Sequence, residues 1–120
     1  MTNRKSITYK IGFSDSTIVS YRFQDNRLIV FLKCWNEEII KFEFFDCVLF
    51  LILNSWNISD VCEANQSDLF DRVLKKVYEI PPTNHPYKLV QFLDNDDDPV
   101  IEIACQKMTI SSLADVTENN

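Results

Sequence analysis

Glycine is nearly missing from this chain of 120 residues: Gly12 stands alone. A phosphate-cradling loop needs several glycines so that backbone N–H groups can close on the anion, so the dinucleotide fingerprint and the P-loop are both excluded. The strained nucleophile elbow of serine hydrolases fails for the same reason. Histidine is equally scarce, with His85 the sole example. A histidine-rich zinc or iron centre is therefore excluded by number, and only mixed Cys/His ligation stays open. His85 sits between Asn84 and Pro86 and reads as a solvent-facing loop side chain. A Cys–His dyad would need convergence in space that spacing does not supply.

Cysteine is present four times, as Cys34, Cys47, Cys62 and Cys105, and no pair has the two-residue spacing of a zinc knuckle or redox motif. The opening Met1-Thr2-Asn3-Arg4-Lys5-Ser6 has no apolar core of an export signal. A cytoplasmic location and reduced, buried thiols are expected from this. The Asn57-Ile58-Ser59 and Asn65-Gln66-Ser67 sequons would then be idle. Long apolar runs are absent too. The longest, Cys47 to Leu53, is far short of the roughly 20 residues that span a bilayer.

Positive charge is in deficit, with 12 Lys/Arg against 18 Asp/Glu and a net charge of −6. Residues 1–60 carry seven of each sign, so the excess lies wholly in residues 61–120, with five basic and eleven acidic side chains. A surface of that sign repels nucleic acid and anionic membranes and suits a basic protein partner. The plainer alternative is an acidic surface that only keeps the domain soluble.

What is present describes one well-filled domain. At this length folding removes roughly two-thirds of the unfolded chain's surface from water. The apolar fraction of 46% and the nine phenylalanines supply core material. Ile7, Tyr9, Ile11 and Phe13 alternate with polar residues, as do Val19, Tyr21 and Phe23, which predicts two strands with one buried face each. Asp25-Asn26 predicts a two-residue hairpin turn, because both residue types tolerate positive φ. Leu28 to Lys33 returns as a third strand, Trp35-Asn36-Glu37 turns, and Ile40, Phe42 and Phe44 mark a fourth. Cys47 to Leu53 is apolar on both faces and reads as a central strand covered on both sides.

Ser67 is a natural helix N-cap, and Leu69, Phe70, Val73, Leu74, Val77 and Tyr78 then form one stripe at helical spacing. Pro81-Pro82 ends that helix. Tyr87 to Leu93 and Val100 to Ile110 read as paired strands around the turn Asp94 to Pro99. The expectation is an α+β fold: a mainly antiparallel six-strand meander sheet, with the helix at about 67–79 packed on one face. Residues 1–110 form one domain, and 111–120 a polar, frayed tail.

Two features could carry chemistry. Asp94, Asp96 and Asp98 have the alternating spacing with which a calcium loop begins. Pro99 then stands where that loop needs glycine, and Cys105 where it needs a bidentate glutamate. A weak cation site and a solvated hairpin turn are the two plain readings. The third is an interaction surface, since Asp94, Asp96, Asp97 and Asp98 together project a field that attracts a cationic partner. Trp35 and Trp56 both fall in expected turns and are candidate anchors for it, with core packing as the alternative.

The hairpin Tyr21-Arg22-Phe23-Gln24-Asp25-Asn26-Arg27-Leu28-Ile29-Val30 and the stretch Gln91 to Ile103, with its Asp94-Asn95-Asp96-Asp97-Asp98 turn, give the chain a resemblance to a known group. They resemble the small immunity proteins of bacterial polymorphic-toxin and contact-dependent growth inhibition systems. The resemblance implies a cytoplasmic, non-enzymatic inhibitor that blocks a cognate toxin, often a basic nuclease, by stoichiometric binding. It assigns no catalytic, metal or cofactor residue. The expected contact set is Asp94, Asp96, Asp97 and Asp98, with Trp35 or Trp56. A barrel-like carrier of an apolar small molecule, lined by phenylalanines, is the alternative function. An enzyme built on a cysteine and His85 is a third.

Overall fold

The computed structural model describes residues 3–53 and 57–113. Among these residues, nine strands and one helix follow in the order β1 (Arg4–Ser6), β2 (Thr17–Gln24), β3 (Arg27–Lys33), β4 (Ile39–Phe45), β5 (Leu49–Ile52), β6 (Asp60–Ala64), α1 (Asp68–Val77), β7 (Lys88–Leu93), β8 (Pro99–Cys105) and β9 (Lys107–Ser112). All the strand pairings are antiparallel. The class is α+β, as expected, but the single six-strand meander is not what forms. There are two sheets, one with the order β1-β6-β7-β8-β5 and one with the order β2-β3-β4-β9.

The reason for two sheets is the amount of apolar surface that needs cover. Leu28, Val30 and Leu32 of β3 and Ile40, Phe42 and Phe44 of β4 are all fully buried on one face of their sheet. Helix α1 has ten residues and buries only Phe70 and Leu74, too little to cover that face. The second sheet covers it instead, with Val61, Val90, Phe92, Ile101, Ile103 and Cys105. Helix α1 lies on the opposite face of the five-stranded sheet, over Ala64, Leu89 and Ala104.

Several local expectations hold. Asp25 (φ 56°) and Asn26 (φ 62°) adopt the left-handed conformation that closes the β2–β3 hairpin, with Gln24 opposite Arg27. The Ser67 hydroxyl accepts a hydrogen bond from the Phe70 amide at 3.1 Å, capping α1. The helix ends at Val77 with Tyr78 as its C-cap, slightly short of the expected end.

Others are corrected. Ile7 to Phe13 forms no strand, although its alternate residues do face inward: Ile7, Tyr9 and Ile11 pack against the core and Phe13 is buried. Periodicity recorded the burial, but no neighbouring strand offers it a ladder. The run from Cys47 to Leu53 yields β5, which pairs with β8 alone and is an edge, not a centre. The strand read from Val100 to Ile110 is two strands. It breaks at Gln106, whose amide donates to the Phe45 carbonyl at 3.0 Å, and the chain passes there from one sheet to the other. Ser111 and Ser112 belong to β9, opposite Lys41 and Ile40, so the sheet extends past the expected start of the tail.

Candidate functional site

The acidic turn between β7 and β8 is held from within. One carboxylate oxygen of Asp94, Oδ1, accepts hydrogen bonds from the backbone amides of Asp96 (2.9 Å) and Asp98 (3.0 Å). The Asp94 amide donates to the Asp98 carbonyl at 2.9 Å, and the Asp97 amide to the Asp94 carbonyl at 3.1 Å. Asp97 takes φ 62°, a conformation an aspartate tolerates. Two outside groups fix the turn to the domain. The Ser59 hydroxyl donates to the Asp94 carbonyl at 2.7 Å, and the Arg4 guanidinium to the Asp97 carbonyl at 3.2 Å.

Asp96, Asp97 and Asp98 are exposed, and Asp94 is half-buried. Carboxylate oxygens of Asp94, Asp96 and Asp98 lie within 4.8 Å of one another. The three carboxylates carry six oxygens, and one of them, Asp94 Oδ1, is already engaged by two amides of the turn, so a calcium ion there would need backbone or water oxygens to reach the roughly six to eight it takes. The turn gathers negative charge at the surface on a backbone held by Asp94.

Arg4, itself exposed, also begins a polar relay that runs into the sheet. Its Nε donates to Gln91 Oε1 at 2.9 Å, and Gln91 Nε2 donates to Glu102 Oε1 at 3.0 Å. Gln91 and Glu102 are both buried, on neighbouring strands and directly opposite each other. The relay ties β1, through its side chain, to β7 and β8.

Trp35 stands apart from this turn. It lies in the β3–β4 connection of the other sheet and is 65% exposed. That connection is also fixed: Glu37 has φ 72°, its amide donates to the Cys34 carbonyl at 2.9 Å, and its carboxylate meets Lys33 at 3.2 Å. Trp56 falls outside the described residues.

The groups that could have made a nucleophile are placed as packing. All four cysteines are free and buried. Burial pushes the Cys47 thiol up to about 11 and the Cys105 thiol up to about 12, and raises Cys34 and Cys62 as well. A thiol that stays protonated is a poor nucleophile. His85 packs edge-on to Phe70, with centroids 5.7 Å apart, and its Nδ1 accepts from the Tyr87 amide at 3.3 Å.

One surface escaped the sequence reading. Val19, Tyr21 and Phe23, expected to be buried, are 54%, 52% and 42% exposed. Tyr21 and Phe23 do stand on the core face, opposite the fully buried Val30 and Leu28. β2 is an edge strand of its sheet, and both side chains stay partly uncovered there. Phe50 of β5 joins them, its ring 4.7 Å from that of Phe23. Alternation signals an apolar face; it carries no mark of whether anything lies against that face.

No protein-family model, curated protein or solved structure matches this chain.

Proposed function

We propose that this protein is a non-enzymatic binding protein that neutralises a basic protein partner, a cognate toxin domain of nuclease type, by stoichiometric association in the cytoplasm. The observation that carries this reading is the acidic turn, held by its own hydrogen bonds and exposing Asp96, Asp97 and Asp98 to solvent. A preformed charged loop loses little freedom on binding and speeds encounter with a cationic surface. Trp35 gives a second exposed contact on a fixed turn. The buried cysteines and the packed His85 give no support to an enzyme. No helix among the described residues is long and apolar enough to cross a membrane.

The carrier reading needs an interior cavity. Phe42 lies 5.5 Å from Phe13 and 5.0 Å from Phe92, ring to ring, and Phe44 lies 6.3 Å from Phe92. These rings occupy part of the space between the sheets where a ligand would sit, which favours the binding reading over the carrier.

The test is co-expression with the C-terminal domain of the protein encoded immediately upstream. Rescue of growth from a toxic domain, with a one-to-one complex on purification, is the expected result. Toxicity without rescue and without complex would remove the inhibitor reading. In that complex, replacing Asp96, Asp97 and Asp98 by asparagine should slow association several-fold and flatten its salt dependence.

A further inference from the structure

We propose that the free edge of β2 accepts an extended segment of a protein partner by β-strand addition, and that the segment alternates apolar with acidic residues. β2 is the longest strand and, among the described residues, is hydrogen-bonded along one side only, to β3. On its other side the described pairing is a single bridge, between Ser16 and Ile58, just before the strand starts. The register slips once, leaving Val19 as the extra residue, and is regular from Ser20 to Gln24. Domains usually blunt such an edge with a bulge, a charge or a cover. Here the bulge occupies only the first part, and among the described residues nothing pairs with the regular part, which offers a template.

The two faces of that template differ, and their chemistry specifies the occupant. Tyr21 and Phe23 point to the core side and remain about half exposed, with Phe50 beside Phe23. A groove of about 420 Å³ opens there, lined by Phe23, Asn26, Val48, Leu49 and Phe50 among others. Apolar side chains of an added strand would fall on that side. Ser20, Arg22 and Gln24 point to the opposite face of the sheet.

That opposite face is basic in an otherwise acidic protein. By register it carries Arg22, Arg27, Lys33, Lys41 and Lys107, against Glu43 alone among acidic strand residues. Glu43 is already shared between Lys41 (2.8 Å) and Arg27 (3.7 Å). Arg27 and Lys107 both lie over the Phe45 ring, at 5.9 and 5.6 Å, a favourable cation–π distance. Helix α1 packs on the other sheet and not on this face, where Arg22 is exposed and Ile29 beside it is buried. Acidic side chains on the added strand would extend along these cations. A second copy of β2 is a poor occupant, because pairing would fuse two positive faces into one.

The probes are short capped peptides of alternating valine with glutamate, and of valine with lysine, labelled for fluorescence anisotropy. The glutamate peptide should bind about tenfold more tightly than the lysine peptide. Arg22→Glu, at an exposed site, should reverse that order. Hydrogen exchange should slow at the amides of Ser20 to Gln24 when the glutamate peptide is bound. Equal binding of both peptides, no binding of either, an order unchanged by Arg22→Glu, or protection elsewhere would each overturn the proposal. So would a β2-mediated dimer in sedimentation, or displacement of the glutamate peptide by oligothymidylate. No toxin enters this experiment, so its failure and that of the inhibitor reading are separable.

Discussion

Phe23 and Phe50 meet at a centroid distance of 4.7 Å although they belong to different sheets. Both stand on edge strands, both face the space between the sheets, and both stay more than a third exposed. The pair joins one edge of the two sheets, where both rings stay partly exposed among the described residues. A double-mutant cycle of Phe23→Ala and Phe50→Ala should give a coupling of about 0.5–1.5 kcal/mol in urea unfolding. Additive effects would show that the rings contribute only separate burial.

The acidic turn predicts a contrast between neighbours. Asp94→Ala removes the acceptor of two backbone amides and should cost about 2 kcal/mol of stability. Asp96→Asn, at an exposed carboxylate, should stay within about 0.5 kcal/mol of the parent. Thermal unfolding of both variants checks this. Equal losses would mean that the turn is not organised by Asp94.

Gln91 is predicted to be more costly to remove alone than together with its partner. Gln91→Leu leaves the buried Glu102 carboxylate without its donor and should cost about 2–3 kcal/mol. Gln91→Leu combined with Glu102→Met should recover much of that loss, since no buried charge is then left unpaired. Denaturant midpoints of the single and double variants separate the two outcomes.

The thiols predict a direction with pH. Burial raises Cys47 and Cys105 from an ordinary value of 9.0 to about 11 and about 12. The unfolded chain therefore releases these protons first. Their contribution is intact below about pH 9 and is lost as pH climbs towards 11–12. Stability measured at pH 8 and pH 10 should fall over that interval, and Cys105→Ala should make the fall shallower. Alkylation of all four cysteines should be slow in the folded protein and rapid in urea.

Much of this could be read from short stretches. The Asp25-Asn26 turn, the Ser67 cap and the alternation of Ile40, Phe42 and Phe44 are local, and all three occur as expected. β6 was missed because its burial does not alternate: Val61, Cys62 and Ala64 are all buried, the first against the opposite sheet and Ala64 under α1. Of the expected contact residues, the four aspartates form one turn and Trp35 is exposed, but Trp35 lies on the other sheet. The aromatic edge had no signal of its own, because Tyr21 and Phe23 alternate just as buried residues do.

The sequence by itself determined the strand periods, the turn conformations, the helix and its cap, and the absence of any glycine-rich phosphate loop. These depend on residues a few positions apart, whose backbone preferences and side-chain directions act locally. Tertiary structure decided the division into two sheets, the edge positions of β2 and β5, and the relay from Arg4 to Gln91 and Glu102. It also gathered Arg22, Lys41 and Lys107 on one face, away from the acidic turn. Coverage and charge segregation depend on strand order and register between residues far apart in the chain, and a local period carries neither.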